Sequence, residues 1–318
     1  MFPVLAYLYH SKSAAEKRWT APISACLKFW LKFWLKFWLK LTLKQRLDAL
    51  LVERNLCESR QQAQRLIRAG EVMVNRQVID KPGTEVDPTL AIEVKARSPY
   101  VSRGGEKLAR ALQEFSITVD GRIGLDGGIS TGGFTDCLLQ AGAKLVYGID
   151  VGYGQVAWKL RQDPRVILRE RTNIRYLTAE DLYSSDHPRP DLGVVDVSFI
   201  SLTKILPTLW SLLQPPREVV LLVKPQFEVG RERIGKKGVV RDAKDQTDAI
   251  LQVCAAAQSL GWQFGGLTWS PLPGPAGNIE YLLWLLMQTP HAFPDATTVQ
   301  HLTQTAQRSL KGQNVGEC

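Results

Sequence analysis

At 318 residues the chain is longer than the usual single domain, and its 45% hydrophobic content is ample for a packed core in each of two domains. Five cysteines (Cys26, Cys57, Cys137, Cys254, Cys318) are scattered without a paired metal spacing, so no metal centre is readable and reduced thiols in a cytoplasmic protein are expected. The net charge of +9 invites nucleic acid, but eight basic residues against Glu16 alone stand within residues 1–45, so RNA binding has to be argued from local patches.

The N-terminal stretch contains LKFWLKFWLKFWLK, a four-residue repeat from Leu27 to Lys40. Period four nearly matches a helix, so Lys28, Lys32, Lys36 and Lys40 would form one slowly drifting stripe among Leu, Phe and Trp. Such a segment suits a membrane surface or a partner helix. The reading favoured here is a repeat-expanded leader that folds into nothing, and residues 1–45 are expected to be a disordered extension. Lysine interrupts every turn, which excludes a transmembrane span, and no convincing cleavage site follows that would make the stretch a signal peptide.

From Arg46 the chain changes character. RLDALLVERNLCESRQQAQRLIRAGEVMVNRQVIDKPGTEV predicts two short helices, a turn at Ala69-Gly70, and short strands around Val72 to Val74 and Ile92 to Val94. Ser59 suits the N-cap of the second helix, where Ala63, Leu66 and Ile67 pack while Arg60, Arg65 and Arg68 face outward. Guanidinium groups in that place suit phosphate oxygens, although three arginines are also what a solvated face carries. The pattern R-L-D, then S-R-x-x-A, then G-x-V-x-V-N resembles the S-four-type RNA-binding domain, from Arg46 to about Val94. That resemblance implies a small α+β module, residues 46–100 with its linker, that docks on structured RNA by shape and backbone contacts, with Arg46 among its contacts. Pseudouridine synthases carry the same module, but they need an Arg-Leu-Asp signature downstream in a mostly antiparallel fold.

The region 101–288 alternates instead. Strands are predicted near 122–126, 145–150, 166–170, 191–196 and 218–224 with helical segments between them. A polar excursion from Gln226 to Asp242 precedes a helix to about Leu260, and apolar strands near 264–269 and 279–286 close the sheet. The expected fold is α/β: a Rossmann-like, doubly wound methyltransferase sheet with helices on both faces. Residues 289–318 are polar and aperiodic and are expected to be a tail.

The first strand of that sheet runs into DGGISTGGF, Asp126 to Phe134, and a helix leaves it. Gly128, Gly132 and Gly133 remove the Cβ atoms that would keep a ligand from the backbone, and the helix start offers free N–H groups. Asp150 ends the next strand, where an acid reaches a ribose hydroxyl pair. Neither G-x-G-x-x-G nor the P-loop Gly-Lys-Ser/Thr ending is present, which favours S-adenosylmethionine, a ligand without phosphate, over a dinucleotide or a triphosphate. Ser130 and Thr131 can cap the helix or touch the methionine carboxylate, and Thr172 and Asn173, after the third strand, suit the adenine or a plain turn.

The phrases SRGGEKL, DGGISTGGFTDCLL, GIDVGYGQ, VVDVSFISL and LVKPQFEVG resemble the haemolysin A (TlyA) family of ribosomal RNA methyltransferases, over Arg46 to about Met287. The catalytic domain of that family is similar to FtsJ-type 2′-O-methyltransferases with a Lys-Asp-Lys-Glu tetrad around the target ribose. The resemblance places Lys107, Asp196, Lys224 and Glu280 in those motif positions, Glu280 from its place before the last strand. It implies S-adenosylmethionine as cofactor, ribosomal RNA or ribosomal subunits as partner, cytidine as target and no metal.

A ribose 2′-hydroxyl is a poor nucleophile, and its proton must leave as the new bond forms. Lys224, between Val223 and Pro225 and expected near Lys107, is the candidate base or hydroxyl-orienting group. Asp196 and Glu280 would position the lysines, and Lys107 would stabilise developing negative charge. Ser198 and Phe199 lie close enough in sequence to contact the target nucleotide or simply to pack. Arg231, Arg233, Lys236 and Lys237, threaded with glycines, read as a mobile basic loop that clamps RNA phosphates or is merely solvated. Two readings from other classes stand beside the enzyme: a haemolysin-like membrane-active protein, and a non-catalytic RNA-binding assembly factor.

Overall fold

The computed structural model describes residues 44–94, 98–183, 188–289 and 291–315, with side chains to Leu310. Residues 1–43 of the N-terminal extension, with the Lys-Phe-Trp repeat, lie outside the described residues, while Gln45, expected to be part of a disordered extension, starts the first strand of the small unit. The chain divides into two compact units that part after Ala96. Among the described residues no helix is long and apolar enough to cross a membrane.

The small unit runs β1 (Gln45–Arg46), α1 (Leu47–Glu53), α2 (Arg60–Arg68), β2 (Val72–Val74), β3 (Gln77–Val78), β4 (Glu85–Val86) and β5 (Ile92–Val94). Leu47, Leu50 and Leu51 on α1 and Ala63, Leu66 and Ile67 on α2 recur at helical spacing and are buried against Val72, Val74 and Val86. Ser59 caps α2 as its position predicts, its Oγ accepting the Gln62 N–H at 3.2 Å. β2 pairs antiparallel with β3 and β5, and β1 with β4. Asn75 and Arg76, both at positive φ (48° and 65°), make the two-residue turn of the β2–β3 hairpin.

The large unit continues with α3 (Gly104–Glu114), β6 (Ile123–Gly127), α4 (Gly133–Gln140), β7 (Leu145–Ile149), α5 (Trp158–Arg161), β8 (Val166–Arg169), α6 (Ala179–Leu182) and β9 (Leu192–Val195). After these come α7 (Leu206–Leu212), β10 (Glu218–Val223), α8 (Pro225–Glu228), α9 (Ala243–Ser259), β11 (Gln263–Trp269), β12 (Tyr281–Leu286) and α10 (Ala296–Val315). Seven strands form one sheet in the order β11-β12-β10-β9-β6-β7-β8. The five from β6 to β10 are parallel, and β12 is antiparallel to both β10 and β11.

Alternation along the strands feeds two cores. Val219, Leu221 and Val223 of β10 join Tyr281, Leu283 and Leu285 of β12 in a core with α7, α9 and α10. Val220, Leu222 and Leu282 face the other way, toward Leu108 and Ala111 of α3 and Cys137 and Leu138 of α4. Both sheet faces are therefore covered by helices, which is why these strands read as near-continuous apolar runs.

The polar tail expected at 289–318 is instead largely helix. Val299, Thr303, Ala306 and Leu310 of α10 are buried, and Thr303 Oγ1 lies 3.2 Å from Thr247 Oγ1 of α9. A stripe this sparse, half of it Thr and Ala, carries too little apolar contrast to stand out as a period. The N-terminal signal was present, for Asp295 accepts the Thr298 N–H at 2.8 Å.

Candidate active site

From β6 the chain runs to β7 and β8 on one side, then returns to β9 on the other. The switch point between β6 and β9 opens a crevice beyond the carboxyl ends of the strands. Ser102, Lys107, Gly128 to Thr131, Gly133, Phe134, Asp196 and Pro273 are among the residues that line it.

The turn after β6 is shaped by two glycines. Gly128 has φ +88°, and a Cβ there would stand 2.4 Å from the backbone oxygen of Asp196. Gly132, at φ +97°, is the N-cap of α4. Ser130 and Thr131 therefore do not cap that helix: they precede the cap, exposed, and Ser130 itself has φ +50°. The Ser130 N–H donates to Asp150 Oδ2 at 2.8 Å, and the Gly152 N–H donates to Asp150 Oδ1 at 2.7 Å. These bonds hold the strand-end acid against the glycine turn.

Asp126 is fully buried under the turn. Its Oδ2 accepts the Thr135 hydroxyl at 2.7 Å, while Oδ1 has no protein partner. Burial, with Asp196 and Asp150 adding repulsion, pushes its carboxyl up to about 7. Thr172 and Asn173 follow β8. The Thr172 N–H donates to the Asp150 carbonyl at 2.9 Å, and the Asn173 side chain accepts the Arg175 N–H at 3.0 Å, so Asn173 also closes its own turn.

The tetrad residues meet as two ion pairs. Lys224 and Asp196 each stand one residue past a parallel strand, and Glu280 stands one residue before β12, where antiparallel pairing of Tyr281 with Val223 brings it to the same sheet edge. Lys107 reaches in from α3. Its Nζ is 2.5 Å from Glu280 Oε2, and the two side chains are 11% and 1% exposed. Lys224 Nζ is 2.6 Å from Asp196 Oδ1 and donates to Ser198 Oγ at 2.9 Å. Each lysine has its own carboxylate. Lys107 and Asp196, one from each pair, both line the crevice.

Phe199 follows with φ +67°, 92% exposed, its ring 5.2 Å from that of Phe227. Sequence reading missed the crevice walls supplied by Ser102, Arg103, Gly104, Leu272, Pro273 and Pro275. Ser102, Arg103 and Gly104 open SRGGEKL, and Leu272, Pro273 and Pro275 precede GNIE, but nothing in a Pro-Gly loop announces which way it folds. It also missed Glu228 of α8, which accepts the Leu202 N–H at 2.9 Å and the Ser201 hydroxyl at 2.5 Å, tying the Lys224 segment to the Phe199 loop.

The arginines proposed for RNA divide by environment. Arg46 and Arg60 both pair with buried Asp48, at 2.9 and 3.3 Å, and the guanidinium of Arg46 holds that carboxyl well below the usual carboxylate range. Arg65 and Arg68 are exposed on α2. In the basic segment Arg233 pairs with Asp248 at 2.7 Å, while Arg231, Lys236 and Lys237 are exposed. The base of that segment is fastened: Asn278 accepts the Val240 N–H at 2.9 Å and donates to the Gly238 carbonyl at 2.8 Å.

The sheet order, the glycine turn at the switch point and the acid on the next strand define a Rossmann-like class I methyltransferase. The FtsJ-like methyltransferase family matches residues 100–286, and the S4 domain matches residues 45–92. TlyA of Mycobacterium tuberculosis, named a 16S/23S rRNA (cytidine-2′-O)-methyltransferase, is 51% identical over 249 residues, 78% of this chain and 91% of the relative. Hemolysin A of Brachyspira hyodysenteriae is 42% identical over 237 residues, 74% of this chain and 98% of the relative. A solved structure from Streptococcus thermophilus that carries a hemolysin name superposes with TM-score 0.66 at 42% identity, covering 86% of this chain and 98% of that one. The chain belongs to the TlyA family of FtsJ-like methyltransferases that carry an S4 domain.

Proposed function

We propose that the protein transfers a methyl group from S-adenosylmethionine to a ribose 2′-hydroxyl of ribosomal RNA, at cytidine. The observation that carries this reading is the single crevice lined by both the glycine turn and Lys107 and Asp196, whose partners complete the tetrad. The crevice suits the cofactor: Gly128 lets the turn pack against the Asp196 carbonyl where a Cβ would clash, the orphaned Asp126 Oδ1 lies beneath, and Asp150 supplies an acid at the strand end. Gly128, Ser130 to Phe134 and Asp150 would hold it, with Thr172 and Asn173 toward its base. When bound, S-adenosylmethionine supplies a sulfonium methyl already activated for transfer.

The chain's own residues do the rest. Lys224 takes hold of the 2′-hydroxyl and accepts its proton as the bond to the methyl forms, while Asp196 holds the lysine nitrogen in place. Lys107, held by Glu280, stabilises charge on the ribose oxygen. Ser198 accepts an N–H from the Lys224 nitrogen, and Phe199 presents its ring toward the target nucleotide. Much of the rate gain comes from alignment of nucleophile and methyl. The S4 unit and the basic segment bind the RNA backbone. Mapping 2′-O-methyl groups on ribosomal RNA from cells with and without the protein tests the reading; identical maps would end it.

Asp150→Ala is expected to weaken S-adenosylmethionine binding by about 1–3 kcal/mol, because it removes the ribose acceptor and strands the Ser130 and Gly152 amides. Calorimetry with unchanged affinity would remove Asp150 from the site. The double change Arg65→Ala and Arg68→Ala is expected to weaken binding to ribosomal subunits and lower its salt slope by about 2, leaving cofactor affinity alone. Adding Arg60→Ala should also cost stability, since Arg60 pairs with Asp48. An unaltered salt slope in the double variant would make α2 only a solvated face.

A further inference from the structure

We infer that the loops following β7 and β8 form a stacking surface for unpaired RNA bases at the rim of the crevice, an inference that rests on the reading of the chain as an RNA methyltransferase. The Arg171 N–H donates to the Gly152 carbonyl at 3.0 Å and the Thr172 N–H to the Asp150 carbonyl at 2.9 Å, so the two loops are locked together. The Gly154 N–H donates to Glu170 Oε1 at 2.8 Å, and Glu170 also takes the guanidinium of Arg161, which ties in α5. Toward the crevice, the Ala157 N–H donates to the Thr131 carbonyl at 3.1 Å and so sets Trp158 beside the glycine turn.

On this fastened base two large rings face water, Tyr153 at 65% and Trp158 at 74% exposure. The Arg171 guanidinium lies 4.2 Å from the Tyr153 ring centroid, and Arg171 has φ +54°, a left-handed backbone that nothing in an arginine side chain favours. Single exposed aromatics are ordinary on a protein surface. Here two rings stand five residues apart on loops that hydrogen-bond to each other and to the site.

Charge selects the occupant. From Trp158 to Tyr176 the chain carries Lys159, Arg161, Arg165, Arg169, Arg171 and Arg175 against Asp163 and Glu170. Lys159, Arg161 and Arg165 are paired with Asp136, Glu170 and Asp163, and among the described residues no ion pair engages Arg169, Arg171 or Arg175. Rings for bases beside guanidinium groups for phosphates fit a single-stranded stretch of RNA flanking the target nucleotide.

The test titrates the full-length protein with a short oligocytidine RNA and with unmethylated ribosomal subunits. Tyr153→Ala and Trp158→Ala are each expected to weaken RNA binding roughly five- to a hundredfold, the worth of one stacked base. The salt slope stays unchanged because the rings carry no charge, whereas Arg171→Ala lowers it by about 1. Trp158→Phe keeps most of the affinity, and calorimetry gives wild-type S-adenosylmethionine binding throughout. The inference is overturned if the double Ala variant binds RNA normally, if cofactor affinity falls in step with RNA affinity, or if the rings serve only binding to anionic lipid vesicles. A wild-type protein that methylates subunits while the ring variants bind RNA normally sinks this inference alone. A wild-type protein that neither binds S-adenosylmethionine nor transfers methyl sinks the proposed function itself.

Discussion

Lys224→Met is expected to abolish methyl transfer while cofactor and RNA still bind. The substitution keeps the apolar stem in its nearly closed site and removes only the nitrogen that meets Asp196 and Ser198. General-base roles contribute roughly 10²–10⁴-fold, so the single-turnover rate on ribosomal subunits should fall at least that far. Lys224→Arg is expected to fail as well, because a guanidinium keeps its protons and cannot accept one. An Arg variant with near-normal transfer would mean that positive charge beside Asp196 suffices, and the assignment of a base to Lys224 would be withdrawn.

The largest effect on stability is expected at the other pair. Glu280 is 1% exposed and its carboxylate faces Lys107. Lys107→Met would leave that charge buried without a partner, a change that costs about 3–5 kcal/mol. The double variant Lys107→Met with Glu280→Gln removes the orphaned charge and should regain most of the loss, yet remain inactive. Urea denaturation reads the difference as a shift in midpoint at constant slope. If the double variant is no more stable than the single one, the pair contributes through something other than charge neutralisation.

The strands of the large unit were legible because both faces of the sheet are buried, so each strand announces itself as an apolar run bounded by turn residues. Val219 to Val223 is such a run, and alternate residues serve opposite cores. The glycine turn was legible for a different reason: Gly128 and Gly132 hold backbone conformations that other residues adopt only under strain. The candidate tetrad was legible only as a resemblance, residue by residue. Its pairing was not, since no spacing says that a lysine of α3 meets a glutamate before β12 across 173 positions. α10 escaped because Thr and Ala do in its interface what Leu does elsewhere. The two-residue strands β1, β3 and β4 are shorter than any period that alternation could reveal.

The cradle proposed for the methyl donor and the support of the proposed base share a wall one atom thick. The space beside the Gly128 Cα is bounded by the carbonyl oxygen of Asp196, and Asp196 is the residue that fixes Lys224. Any side chain introduced at Gly128 to retune donor affinity would push on the acceptor chemistry by the same displacement. The two halves of the reaction cannot drift apart in sequence at this turn. Donor affinity is therefore expected to be tuned at the outer lip, at Ser130 and Thr131, where a change of side chain leaves the carbonyl of Asp196 where it is.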